Sequence, residues 1–401
     1  MVHHHIEACA KLEEIEEILL VGFYQPSDAL NRFIRRQRQI IVKPISYLQE
    51  YTMLGTAGCL YHFRDVITSG DPDAFFVLYS DVFCEFPLRE ILDFRAKFMQ
   101  FIMMTVEVPR EQSKYYGCAG IDHKTNEVVH YIDKPETFVS RDINAGVYFF
   151  TMEIFSDIGA LFQKRHRPSF AEPIARQINL LDIEDSKETV FDNYSPLQQT
   201  LGRIFFEKDV FPILATRGKL FAYKCDRFWM SIKSAGSALY ANRAILETYK
   251  KTHPDRLTDH PGCIGTVSIH RTAEVDATAV LGPYVTIGAG VVVGPGVRVK
   301  NSIVLEGATL KDHCCILNSI IGWHSVVGEW ARVEGTPTEL DPNAPHATTD
   351  NFYLFDEDGR LRPSITILGR DVIIPPEVVI RNSIVMPNKD LSRGFKNQIL
   401  L

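Results

Sequence analysis

Up to about Thr252, the hydrophobic positions alternate between two spacings. Short continuous apolar runs read as strands: Glu16–Phe23 (EEILLVGF), Ile45–Glu50 (ISYLQE), Ala74–Asp81 (AFFVLYSD) and Phe101–Val108. Between them, apolar residues return every three or four positions, the helical spacing. One such run opens at Pro26 and carries Leu30, Phe33, Ile34 and Gln37 on one side. A proline is tolerated there because the first N–H groups of a helix have no helical partner. Gly55–Ile67 (GTAGCLYHFRDVI) and Leu88–Lys97 read the same way. AFFVLYSD is apolar without alternation, the composition of a parallel strand buried on both faces. Strands alternating with helices predict a Rossmann-like α/β domain over residues 1–252, with a mostly parallel sheet and flanking helices.

From residue 253 to 401 the period changes. An aliphatic residue returns at every sixth position: Ile269, Val275, Leu281, Ile287, Val293, Val299 and Leu305. Four residues after each comes a small or β-branched one, from Ala273 to Thr309. Six is neither 3.6 nor 2. It fits short strands joined by tight corners and stacked as coils of a parallel β-helix. The aliphatic anchors are expected to point inward, each worth about 1.5–3 kcal/mol when buried. The frame slips after Leu305, where Lys311 breaks it, and resumes at Ile367. Between lies a long insertion, 334–363, with many acids and one apolar knot, Phe352–Phe355. A loop of that length is functional or disordered.

Composition narrows the classes. The 401 residues carry a net charge of −7 and no basic stripe, which argues against a nucleic-acid partner. No apolar run approaches the ~18 residues of a membrane span. The first residues lack the charged and apolar regions of a signal peptide. Eight cysteines without a C-x-x-C pattern read as free thiols of a reducing, cytoplasmic setting. His3–His5 precede helically spaced apolar residues. Three consecutive helical side chains point in three directions and cannot chelate one ion.

Several residues at strand ends could do chemistry. Leu54–Gly58 (LGTAG) puts Gly55 and Gly58 at the mouth of a helix, where bare N–H groups could face an anion or a base edge. Asp81 ends a buried run and is a candidate Mg²⁺ ligand, since Mg²⁺ on phosphates uses one or two carboxylates plus water. The alternative role for Asp81 is a helix N-cap. Lys134 in YIDKP could serve as a point charge for phosphate. Asn144 and Gly146 in INAGVYFF could hydrogen-bond sugar hydroxyls and leave room for a sugar ring.

Together these motifs resemble the sugar-1-phosphate nucleotidyltransferase family, and within it the mannose-1-phosphate guanylyltransferases, over nearly the whole chain. The resemblance is sharpest at His4–Cys9, Phe23–Pro26 (FYQP), Ile232–Arg243 (IKSAGSALYANR), Ala331–Pro337 (ARVEGTP) and Ile365–Gly369 (ITILG). It leans to the alpha-type branch, regarded in the family as regulatory. The resemblance implies that Asp81 matches the metal-binding aspartate and that Gly55 and Gly58 match nucleotide-contacting backbone. Gly117 would approach the sugar, Lys134 the sugar phosphate, and Asn144 and Gly146 the sugar itself. It also implies a left-handed β-helix, GDP-mannose, GDP or GTP as ligand, homo- or hetero-oligomers, and a catalytic beta-type partner. Asp341, Phe352, Tyr353, Phe355 and Asp356 in the insertion would form a regulatory loop against that partner.

Four departures from the family pattern bear on activity. The Gly-rich phosphate loop and first strand are expected to be missing. Tyr79 stands where the family has asparagine or glycine, and Asp133 is one methylene shorter than the usual glutamate. Catalytic relatives read F-W-M-D-I where this chain reads Phe228–Ile232 (FWMSI), so Ser231 replaces the second metal aspartate. Removing one preorganised electrostatic group costs about 10²–10³ in rate, so little turnover is expected. Two other readings are an active nucleotidyltransferase in an N-terminally truncated form and a hexapeptide acyltransferase using His313 or His324.

Overall fold

The computed structural model describes residues 2–98, 101–166, 203–232, 235–258, 260–336, 361 and 364–401. It divides into two compact units, Met1–Arg227 and Phe228–Leu401.

In the first unit, helix α1 (Val2–Ala10) leads to strand β1 (Ile18–Gly22), helix α2 (Asp28–Ile40) and strand β2 (Ile45–Gln49). The two strands pair in parallel. The Ser27 hydroxyl accepts from Leu30 N–H at 3.2 Å, which satisfies one of the N–H groups left over by the first turn of α2. The three histidines of α1 diverge as their helical phase requires. His3 Nδ1 lies 2.8 Å from Gln37 Oε1, His4 meets Phe83 edge-on, and His5 Nε2 lies 3.0 Å from the Tyr79 carbonyl.

Next come α3 (Thr56–His62), α4 (Arg64–Ile67), β3 (Ala74–Leu78), β4 (Val82–Cys84), α5 (Leu88–Phe98) and β5 (Phe101–Glu107). They are followed by α6 (Arg110–Ser113), β6 (Gly117–Asp122), β7 (Glu127–Asp133), β8 (Asp142–Thr151) and α7 (Ile154–His166). A π-helical turn, Phe206–Val210, opens into α8 (Phe211–Thr216) and β9 (Leu220–Cys225). Six of these strands form one sheet in the order β3-β8-β5-β9-β7-β6. Strand β5 runs parallel to β9, whereas β8 runs antiparallel to β3 and β5. Strands β6 and β7 form a hairpin, closed by Asn126 N–H on the Asp122 carbonyl at 2.7 Å, and a connection that short joins only antiparallel strands. Over both units together the ladders are mostly parallel.

Strand β3 corrects one expectation. Its apolar run AFFVL stands at the edge of the sheet, antiparallel to β8, and all five residues are half-buried. The central strands are shut off from solvent instead. In β8 every residue is buried except Asn144 and Thr151.

In the second unit, β10 (Trp229–Ser231) and α9 (Ala235–Thr252) precede the solenoid. Helix α9 packs on the coils. Thr286 donates to Asn242 Oδ1 at 2.6 Å, and the Arg243 guanidinium lies 4.5 Å from the centre of the Tyr284 ring. The unit therefore begins upstream of the boundary at Thr252 that the change of period suggested. Three parallel sheets wrap the coils. Val267 pairs with Val285, eighteen residues on, and Val285 with Ser302, seventeen on.

That lost residue explains the frame slip. Asn301 turns the corner in the left-handed region at φ 45 and the inward set moves by one. Leu305, expected inside, is half-buried, and Val304 is fully buried in its place. The core continues through Leu310, Ile316, Ile321, Val327 and Val333, all at 0% exposure, so the coils do not lapse at Lys311. Asparagines line the short corner: Asn301 Nδ2 donates to Asn318 Oδ1 at 2.9 Å, and Asn318 Nδ2 to the Gly335 carbonyl at 2.9 Å. Further on, Thr336 N–H donates to the Ser364 carbonyl at 2.9 Å, where the insertion leaves and re-enters the coil. Asp341, Phe352, Tyr353, Phe355 and Asp356 lie outside the described residues. All eight cysteines are free. Among the described residues, no helix is long and apolar enough to cross a membrane.

Candidate functional site

The glycines and polar residues singled out in the first unit gather in two neighbouring groups. The first surrounds the N-terminus of α3. Gly55 is left-handed at φ 82, a conformation only glycine adopts freely. A side chain there would also meet the Ile204 carbonyl at 2.5 Å. The N–H groups of Ala57 and Gly58 both donate to that carbonyl at 3.0 Å, and Ile204 N–H returns a bond to the Leu54 carbonyl at 2.9 Å. The helix mouth is thus capped by the chain's own backbone. The Gly58 N–H, expected to face a nucleotide, is already bonded.

Glu207 follows on the π-helical turn. Its carboxylate accepts from Tyr79 Oη at 2.6 Å and from Thr56 Oγ1 at 3.1 Å. Thr56 Oγ1 in turn accepts from Phe206 N–H at 2.9 Å. Burial, and then the Glu207 charge, hold the Tyr79 phenol well above its ordinary range, so it keeps its proton and donates.

Tyr79 connects this group to the second. Its N–H bonds the Gly146 carbonyl at 2.9 Å, and its ring meets Tyr148 edge-on. Gly146 is left-handed at φ 72, and a side chain there would run into Val82 Cγ2 at 2.8 Å and Tyr79 Cβ at 3.3 Å. Gly117 pairs with Asp133 across the β6–β7 hairpin. The space over it is taken by the Tyr131 hydroxyl, 2.0 Å from where a Cβ would stand. A glycine at 117 admits the Tyr131 hydroxyl. Lys134 is exposed and left-handed at φ 47, and its N–H on the Tyr116 carbonyl, 3.1 Å, holds it beside Gly117. Asn144 Nδ2 donates to Tyr131 Oη at 3.1 Å, and Asn144 Oδ1 accepts from Gly146 N–H at 2.9 Å.

Asp81 is half-buried in the turn after β3, in the first unit, and Ser231 is a buried strand residue of the second. Among the described residues, no three acids, histidines or cysteines gather as a metal cage. His313 and His324, both left-handed, sit at solenoid corners, and His313 stacks on Trp330 with ring centres 4.3 Å apart. Sequence reasoning missed Tyr131, Thr56, Ile204 and Glu207. Tyr131 was in sight, two residues before Asp133 in YIDKP, but nothing local marks it as a partner of Asn144.

Comparison with known proteins shows the family. Residues 1–193 match the model of the nucleotidyl transferase family, and residues 263–400 match the model of the GMPPB C-terminal domain. The chain is 52% identical over 408 residues to mannose-1-phosphate guanylyltransferase regulatory subunit alpha-A of Danio rerio. It is 50% identical to the regulatory subunit alpha of Xenopus tropicalis and 49% to that of Sus scrofa. Each match takes in 100% of this chain and 92% of the relative. With about half of all positions identical from end to end, the chain belongs to the family of mannose-1-phosphate guanylyltransferase alpha subunits.

Proposed function

We propose that this chain is a regulatory subunit of a mannose-1-phosphate guanylyltransferase acting in the cytoplasm. It binds GDP-mannose or GDP in the first unit and restrains a catalytic beta-type subunit with which it assembles. Its hexapeptide solenoid is left-handed. The observation that carries this reading is Ser231, a hydroxyl where the family resemblance implies the second metal aspartate of catalytic members. A hydroxyl cannot supply the negative charge that holds Mg²⁺ against phosphates. The filled helix mouth supports the same reading, because the Ala57 and Gly58 N–H groups are spent on the Ile204 carbonyl. The reading holds with or without a Gly-rich phosphate loop ahead of Met1, since Ser231 lies within the chain. Residues 334–363 supply the contact to the catalytic subunit: acids such as Asp341 and Asp356 steer, and Phe352, Tyr353 and Phe355 anchor.

The test is an assay of the purified chain with GTP, mannose 1-phosphate and Mg²⁺, alone and mixed with a catalytic subunit. Alone, it should form no GDP-mannose above background. In the mixture, added GDP-mannose should lower the rate further than it does for the catalytic subunit by itself. Robust turnover by this chain alone overturns the reading.

A further inference from the structure

One face of the solenoid has the opposite charge to the chain. A parallel sheet runs through Arg298–Lys300, Cys315–Leu317, Arg332–Glu334, Val379–Arg381 and Phe395–Lys396. It buries Val299, Ile316, Val333 and Ile380 and turns their neighbours outward. The register stacks those neighbours in two columns. One reads Arg298, Cys315, Arg332, Val379; the other reads Lys300, Leu317, Glu334, Arg381, Lys396. All five cations are exposed. The one acid in the two columns, Glu334, is held by Arg332 Nε at 3.2 Å. The chain as a whole carries −7, so this strip is a local excess of the other sign. Cations stacked one or two rungs apart, about 5–10 Å, repel one another unless an anion lies over them.

The chain carries such an anion. Residues 337–360 hold Glu339, Asp341, Asp350, Asp356, Glu357 and Asp358 against a single arginine, Arg360. This segment leaves the coil just after Arg332–Glu334, the middle strand of the five, and returns at Ser364. Its reach matches the strip. Lys300 and Lys396 are four strand spacings apart, about 19 Å. Asp358, six residues before Ser364, can extend about 20 Å from it. Acids tethered this closely act at an effective concentration of about millimolar, without any free ligand.

We propose that this basic face is the docking surface for the chain's own acidic segment, 337–360, which lies across Arg298, Lys300, Arg381 and Lys396. The pairs are exposed, so each is weak and their sum is salt-sensitive. The face therefore sets how much of the time the segment is available to another protein. It does so whether or not that protein is a catalytic subunit.

The experiment is carbodiimide coupling of the full chain, which links a lysine amine to a carboxylate in contact with it, read by peptide mass spectrometry. Lys300 or Lys396 should be joined to acids of 337–360. The yield should fall about tenfold between about 0.1 M and about 1 M salt, as the screening length drops from about 10 Å to about 3 Å. Arg298→Gln combined with Arg381→Gln leaves both lysines in place and should lower the low-salt yield several-fold. Lys224 and Glu107, 2.8 Å apart in the first unit, are the internal standard and should couple equally in both proteins. Both arginines are exposed, so the urea midpoint of tryptophan fluorescence should not move; the salt comparison uses the unmodified chain and does not depend on the variant. In a mixture of isotope-labelled and unlabelled protein, the links should stay within one chain. Absence of these links, a yield unchanged by salt or by loss of the arginines, or links between two chains overturns the proposal.

Discussion

Ile316 tests how the solenoid is held together. It sits in register between Val299 and Val333, and all three are at most 1% exposed. Ile316→Ala removes three buried carbon groups, about 2.4 kcal/mol at ~0.8 kcal/mol each before any cavity is counted. Its strand is tied on both sides: Arg298 N–H donates to the Cys314 carbonyl at 3.0 Å, and Cys315 N–H to the Ala331 carbonyl at 2.9 Å. A rung bonded above and below cannot settle into the void, so the cost should lie in the upper part of the 2–5 kcal/mol range for such truncations, about 3–4 kcal/mol. The protein supplies its own reporter. Its three tryptophans, Trp229, Trp323 and Trp330, all lie in the second unit. Tryptophan fluorescence in urea therefore follows that unit, while tyrosine absorbance and circular dichroism report on both. The expected result is a lower fluorescence midpoint with an unchanged slope, and no shift in a transition without tryptophan signal. A loss under about 1 kcal/mol would show that the coils relax around a missing side chain, and the stacking argument would be wrong.

Three further outcomes are expected. Asn318→Ala should cost about 1–2 kcal/mol in the same fluorescence titration, because it removes the ladder bonds and leaves a left-handed corner to a residue that resists it; Asn318→Gly should cost less. His4 is lowered to a pKa of about 4 by burial first, then by the amino-terminal charge and His3, so the fold keeps it neutral. Between about pH 6.5 and 4 the unfolded chain takes a proton that the folded one refuses, and stability should fall as pH drops, by up to about 3 kcal/mol; melting curves of His4→Gln should lack that slope. Gly117→Ala drives a Cβ into the Tyr131 hydroxyl, so it should lower the melting temperature of the first unit, read by circular dichroism.

Element types were legible where one pattern ruled a segment. The six-residue period gave the β-helix because each coil repeats one corner geometry, and the helical spacing after Pro26 gave α2. The slip after Leu305 was legible as a break but not as its cause. A corner shortened at Asn301 moves the inward set from Leu305 to Val304, and local sequence cannot tell that from the end of the repeat. AFFVL has the composition of a doubly covered strand, yet its place at the sheet edge depends on which strands pair, a long-range fact. The same holds at the site. Asn144 was visible in its motif, but Tyr131 and Glu207 meet the motif residues only through strand register and a π-helical turn. The fillers of the glycine spaces, Ile204 and Tyr131, come from distant segments whose own patterns read as plain core.

The bond between Thr336 and Ser364 has a consequence for how this protein can change. It holds the exit and re-entry points of the coil together, so length can vary between them apart from the buried Leu361. Closure entropy grows only with the logarithm of length, about 0.6 kcal/mol for each doubling. That edge of the solenoid works as a splice port. Segments can lengthen, shrink or be exchanged there at small energetic cost, and new partners can be tried without retuning the scaffold that carries them.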